Sequence, residues 1–194
     1  EYHIVSALDN NMGLDVEAAS SDLCANIQLY NNVLDDSQVF VVNYLGDGYY
    51  KITNKHSGKS LDVANGGMKS GTNVWQYDYT GDNAQKWIIK ESGDGKYFNI
   101  VSAKNGLYLD VDGGIAENCR NIRTYSYNNT NAQKWKFVAF GNSIGRTLSN
   151  GDYHIVTVLD ESKGLDVQML IYIVIYKMKV KSLQLHIKET ATIV

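Results

Sequence analysis

Three residues and their spacing recur three times along the 194-residue chain, and this recurrence constrains the fold more than any local propensity. Leu14-Asp15-Val16, Leu61-Asp62-Val63 and Leu109-Asp110-Val111 are each followed, 23 residues after the Asp, by Gln38-Val39-Phe40, Gln85-Lys86-Trp87 and Gln133-Lys134-Trp135. The period is therefore 47 to 48 residues. Tyr30, Tyr77 and Tyr125 fall 15 residues after their Asp, so a carboxylate acceptor and a flat apolar ring return at constant separation. A unit this short cannot bury its own apolar face, so the copies must share a core.

Short apolar runs alternate with polar residues, and 17 Gly with many Asn and Asp residues separate them, which favours short strands and turns over long helices. The class is all-β. In the second repeat the runs are Tyr49 to Thr53, Ser60 to Val63, Asn73 to Tyr77 and Gln85 to Ile89. Four runs in each of three repeats predict twelve antiparallel strands on one core, with Phe40, Trp87 and Trp135 pointing into it. Gly46-Asp47-Gly48, Gly93-Asp94-Gly95 and Gly66-Gly67 supply turns expected to need positive φ.

These residues resemble the ricin B-type lectin family, whose hallmark is a Gln-x-Trp triplet in each of three subdomains of a β-trefoil. The resemblance covers about residues 1–140, with repeats near 1–47, 48–94 and 95–140. Phe40 replaces Trp in the first triplet, and Ser37, Ala84 and Ala132 stand where many members carry Asn. It implies that Asp15, Asp62 and Asp110 contact sugar, that Tyr30, Tyr77 and Tyr125 stack on it, and that Gln38, Gln85 and Gln133 orient each Asp from behind.

The chemistry suits a neutral sugar. A carboxylate accepts two hydroxyl protons in charge-assisted bonds, and a Tyr ring covers the sugar's C–H face at small entropic cost. Repeat three adds Tyr127 and Asn128 beyond its platform and ranks first; repeat two adds Tyr79; repeat one ranks last, with Gln28 as partial compensation. Glycans are the expected partner, galactose-type and xylose-type sugars being the family's common ligands. An Asp at a strand end can instead cap a turn, and a Tyr can cap a core, so a protein-interaction or structural trefoil with inactive sites is the competing class.

Other chemistry has little support. The net charge of −3 and the lack of a basic stripe argue against nucleic acid. The sequence carries no HExxH or P-loop motif and no metal-ligand spacing, so neither catalysis, a metal nor a cofactor is expected. Cys24 and Cys119, each nine residues after its Asp, make no disulfide framework and read as free thiols, with a disulfide left open. No apolar run is long enough to span a membrane. No signal peptide opens the chain, and secretion is an expectation from the resemblance alone.

Beyond residue 140 the text changes. Residues 141–150 read as a linker, and residues 153–167 restate residues 2–16 at a constant offset of 151, as the truncated start of a second trefoil. From 169 to 194 the chain is Lys- and Ile/Val-rich and fits no repeat. A frameshift is the expectation, because codons can be chosen whose displaced frame restores repeat-like text. The alternative is a natural strand pair whose apolar edge invites self-association. Both readings suit an excerpt of a larger secreted protein.

Overall fold

The computed structural model describes residues 1–33 and 35–140 in full, together with the backbone strands His154–Thr157, Asp160–Gly164 and His186–Lys188. Two compact units result, Glu1–Phe140 and Gly141–Val194. The expected linker, and most of the 169–194 segment with its self-association, lie outside the described residues.

In the first unit, β1 (Tyr2–Ser6), β4 (Phe40–Gly46), β5 (Tyr49–Asn54), β8 (Trp87–Glu91), β9 (Phe98–Ser102) and β12 (Trp135–Ala139) pair in a closed antiparallel ring. Its seam is the β1–β12 ladder, running from Tyr2 opposite Ala139 to Ser6 opposite Trp135. Three hairpins lie over one end: β2 (Met12–Val16) with β3 (Ile27–Asn31), β6 (Ser60–Val63) with β7 (Thr72–Tyr77), and β10 (Tyr108–Val111) with β11 (Arg120–Tyr125). β11 also pairs with both β3 and β7, which ties the hairpins together.

One core fills this shell. Phe40, Trp87 and Trp135 are fully buried, as their triplets predict, alongside Leu14, Leu61 and Leu109 and Val16, Val63 and Val111. The indole N–H of Trp87 donates to Leu61 O and that of Trp135 to Leu109 O, each at 3.1 Å. Phe40 has no such donor, so the first triplet keeps the apolar volume and loses a hydrogen bond.

Two expectations need correction. The run expected from Gln85 begins as a strand only at Trp87, because Asn83–Gln85 is a 3₁₀ turn capped by Asp82, whose side chain accepts from Ala84 N. Of the Gly66-Gly67 pair, only Gly66 has positive φ, together with Asn65. Gly67 is small for a different reason: a Cβ there would meet Thr72 Cγ2 at 2.6 Å.

In the second unit Val156 pairs with Gly164 across β13 (His154–Thr157) and β14 (Asp160–Gly164). In the first unit Val5 pairs with Gly13, at the same places in the restated sequence. β13 also pairs with β15 (His186–Lys188).

Candidate functional site

Hairpin register explains the recurring Asp–Tyr spacing. Asp15 lies opposite Gln28, Asp62 opposite Trp75 and Asp110 opposite Arg123. Tyr30, Tyr77 and Tyr125 stand two residues further along the partner strand, on the same face as the Asp. Because Leu14 and Val16 face the core, Asp15 must face outward, and the same holds in the other repeats.

These carboxylates are nevertheless nearly covered: Asp15 is 6%, Asp62 8% and Asp110 1% exposed. The 3₁₀ turns Asp36–Gln38, Asn83–Gln85 and Asn131–Gln133 pack over β2, β6 and β10 respectively. Burial pushes all three carboxyls above the ordinary Asp range, and their hydrogen bonds only partly pull them back. The three Tyr rings remain half-buried.

Each Gln expected to orient its Asp has a second task. Gln38, Gln85 and Gln133 donate to the carbonyls of Asn31, Asp78 and Ser126 and accept from the N–H groups of Val33, Thr80 and Asn128. The side chain thus staples the turn that follows each Tyr. Gln133 also donates to Asp110 Oδ2 at 3.1 Å, and the amides of Gln38 and Gln85 draw Asp15 and Asp62 downward in pKa.

The residues opposite the three Asp make the sites unequal; the sequence pointed to Gln28 alone, and Trp75 and Arg123 were missed. Gln28 Nε2 donates to Asp15 Oδ2 at 2.8 Å, and Ser37 Oγ donates to Oδ1 at 3.3 Å. Trp75 Nε1 donates to Asp62 Oδ1 at 2.8 Å, while its ring stacks beside Tyr77 with centroids 6.3 Å apart. Arg123 Nε donates to Asp110 Oδ1 at 2.9 Å, its other arm pairs with Asp112, and its guanidinium lies 4.1 Å from the Tyr125 ring centroid. A hairpin register of 13 residues, counted from the Asp, would have identified all three.

Repeat three, ranked first by composition, is therefore the most internally engaged. Asp110, like Asp15, has both oxygens hydrogen-bonded, but its partner Arg123 is a cation that also covers one face of Tyr125. Tyr127 packs against Tyr108 at 4.6 Å, and Asn128 Oδ1 accepts from the N–H and hydroxyl of Thr130. Repeat two presents Asp62, Trp75 and Tyr77 together, with exposed Tyr79 beside Lys51. Cys24 and Cys119 are both exposed and unpaired. Among the described residues no helix is long and apolar enough to cross a membrane.

A closed β-barrel under three hairpins, each bearing an Asp and a Tyr, defines an all-β lectin-like class. The ricin-type beta-trefoil lectin domain-like family model matches residues 1–77, 36–125 and 83–169, and the chain belongs to that family. A designed threefold-symmetric protein, ThreeFoil, is 38% identical with TM-score 0.69, over 71% of this chain and 97% of its own. An exo-β-1,3-galactanase from Clostridium thermocellum is 32% identical with TM-score 0.67, over 71% of this chain and 29% of the galactanase. A ricin B-like lectin of Macrolepiota procera, solved in complex with lactose, shares the fold at 17% identity and TM-score 0.61, over 71% of this chain and 93% of its own. No curated protein sequence matches.

Proposed function

We propose that this protein binds glycans without catalysis, through the outward faces of its hairpins. The observation that carries the reading is a buried carboxylate that shares its face of the hairpin with a half-buried Tyr, in every repeat. Burial disfavours the charged form, so Asp15 and Asp62, which pair with no cation among the described residues, oppose folding at neutral pH. A ligand that donates hydroxyl protons to them supplies the reason to keep them. Family membership supports the same reading.

Repeat two is the foremost site, with Asp62 as acceptor, Tyr77 and Trp75 as platform, and Gln85 as the staple of the loop. Repeat one, with Asp15, Tyr30, Gln28 and Gln38, is second. In repeat three the Arg123 pairing with Asp110 favours a structural role, and the competing protein-interaction reading is strongest there. Galactose-type and xylose-type sugars are the first ligands to try. Because glycans face the extracellular space, the protein is secreted or displayed at the surface. It forms one part of a larger chain in which residues 151–168 open a second trefoil.

A glycan array probed with the full chain, and with an Asp15/Asp62/Asp110→Asn variant of verified fold, tests the reading. Binding by the parent and silence from the variant is expected. Silence from both would leave the protein-interaction reading in its place.

A further inference from the structure

The three hairpins converge at a point that glycan binding leaves unused. Eleven residues after each repeated Asp stands an asparagine: Asn26, Asn73 and Asn121. The residues that follow them, Ile27, Val74 and Ile122, pair with Val16, Val63 and Val111 and are fully buried, so the asparagines face away from the core. Between repeats, Asn26 bridges to Trp75, Asn73 lies opposite Arg123, and Asn121 lies opposite Gln28. Each asparagine is set against the next repeat in turn, so the three carboxamides surround the pseudo-threefold axis where β3, β7 and β11 meet.

This ring is not satisfied by its own members. Asn73 Nδ2 donates to Asn26 Oδ1 at 3.1 Å, across two repeats. Asn73 Oδ1 is shut off from solvent and meets no donor among the described residues. A buried acceptor left in that state costs about 1–3 kcal/mol, which an apolar side chain at this position would avoid. The surroundings are anionic. One residue beyond the Val16–Ile27 and Val111–Ile122 pairs stand Glu17 and Asp112, with Ala64 at the same place in repeat two. Arg123 is engaged elsewhere, its guanidinium pairing with Asp110 and Asp112 beside the ring of Tyr125.

We propose that Asn26, Asn73 and Asn121 form a binding site for a monovalent cation of sodium's size on the trefoil axis, with Asn73 Oδ1 as its principal ligand. Hard cations take oxygen ligands, and each carboxamide oxygen has two lone pairs, so Asn26 Oδ1 can serve the ion while it accepts from Asn73. The three side chains are half-buried, which leaves the outward side of the ion to water. A calcium ion draws its affinity from carboxylate ligands, and this ring offers neutral oxygens, so the smaller charge fits it better. One ligand comes from each repeat, so a bound ion fastens three hairpins far apart in sequence. Carboxamides at a 47–48-residue period escape any search for His, Cys, Asp and Glu at metal-ligand spacing.

The test compares thermal unfolding of the full chain in sodium chloride and in choline chloride, whose cation is too large for the ring. At a matched ionic strength of about 0.2 M, sodium should raise the midpoint by about 2–4 °C, and the ²³Na resonance should broaden when the protein is added. Asn73→Leu keeps the volume and removes the principal ligand, and Asn121→Ala removes a second ligand at a more open position. Both effects of sodium should vanish in each variant whose near-UV circular dichroism matches the parent. Asn73→Asp should instead add a response to calcium, because it places a carboxylate in the ring. Equal midpoints in the two salts, or a sodium effect that persists in both Asn73→Leu and Asn121→Ala, would overturn the proposal and leave water as the partner of Asn73 Oδ1. Sugar binding enters none of these measurements, so the glycan reading stands or falls apart from them.

Discussion

At the scale of single residues, the three Asp side chains are chemically alike and energetically distinct. Each has a folded pKa raised by burial above the value of about 3.9 found in unfolded chains. A raised carboxyl favours folding most when both states are protonated, and that contribution is lost as pH rises through the folded pKa. Asp62→Asn keeps an acceptor for Trp75 Nε1 and removes the buried charge. It should therefore equal or exceed the parent in stability at pH 7, with the difference closing below about pH 3.9, while site-two sugar binding falls at least about tenfold. Urea melts across pH 3 to 8 beside a sugar titration read both effects; a large loss of stability at pH 7 would make Asp62 structural. Asp110→Asn should behave oppositely. It weakens the partnership of the Arg123 guanidinium, and a loss of about 1–3 kcal/mol in the same melts is expected. The sequence could show that an Asp recurs, but not that Arg123 would claim one copy, because the opposing residue emerges only once hairpin register is fixed.

At the scale of elements, the Gln-x-Trp triplet joins two jobs in three residues. Trp87 enters the barrel core and donates to Leu61 O, while Gln85, two residues earlier, staples the turn after Tyr77. Trp87→Phe reproduces the arrangement that Phe40 already tolerates in the first repeat. It should cost about 1–3 kcal/mol of unfolding free energy through a lost donor and a smaller ring, without altering sugar specificity. Gln85→Ala should act the other way round: a modest loss of about 1–2 kcal/mol from two hydrogen bonds, but a severalfold loss of sugar affinity as the loop after Tyr77 loosens. Denaturant midpoints paired with titrations separate the two. Periodicity made the strands and core legible here, since the Leu-Asp-Val and triplet positions mark β6 and β8 directly. The strand boundary at Trp87 was not legible, because the Asp82 cap draws Gln85 into a turn that apolar patterning does not register.

For the molecule as a whole, the decisive property is that the three hairpins belong to one closed sheet. β11 pairs with both β3 and β7, so the three outward faces keep fixed separations with no linker to order. A second sugar contact on such a body is intramolecular, and its gain depends on whether the target presents sugars at the spacing of the hairpins. Occupied at two sites, the wild type should hold a dense glycan surface about 10²-fold more tightly than a free monosaccharide. Asp62→Asn should then lower binding to the dense surface by a larger factor than Asp15→Asn or Asp110→Asn, because it removes the foremost site from every bivalent combination. Surface binding measured across a series of glycan densities decides the matter. Affinity that climbs with density requires at least two working faces, whereas affinity independent of density would leave one hairpin as the sole binding face and the other two Asp–Tyr pairs as parts of the fold.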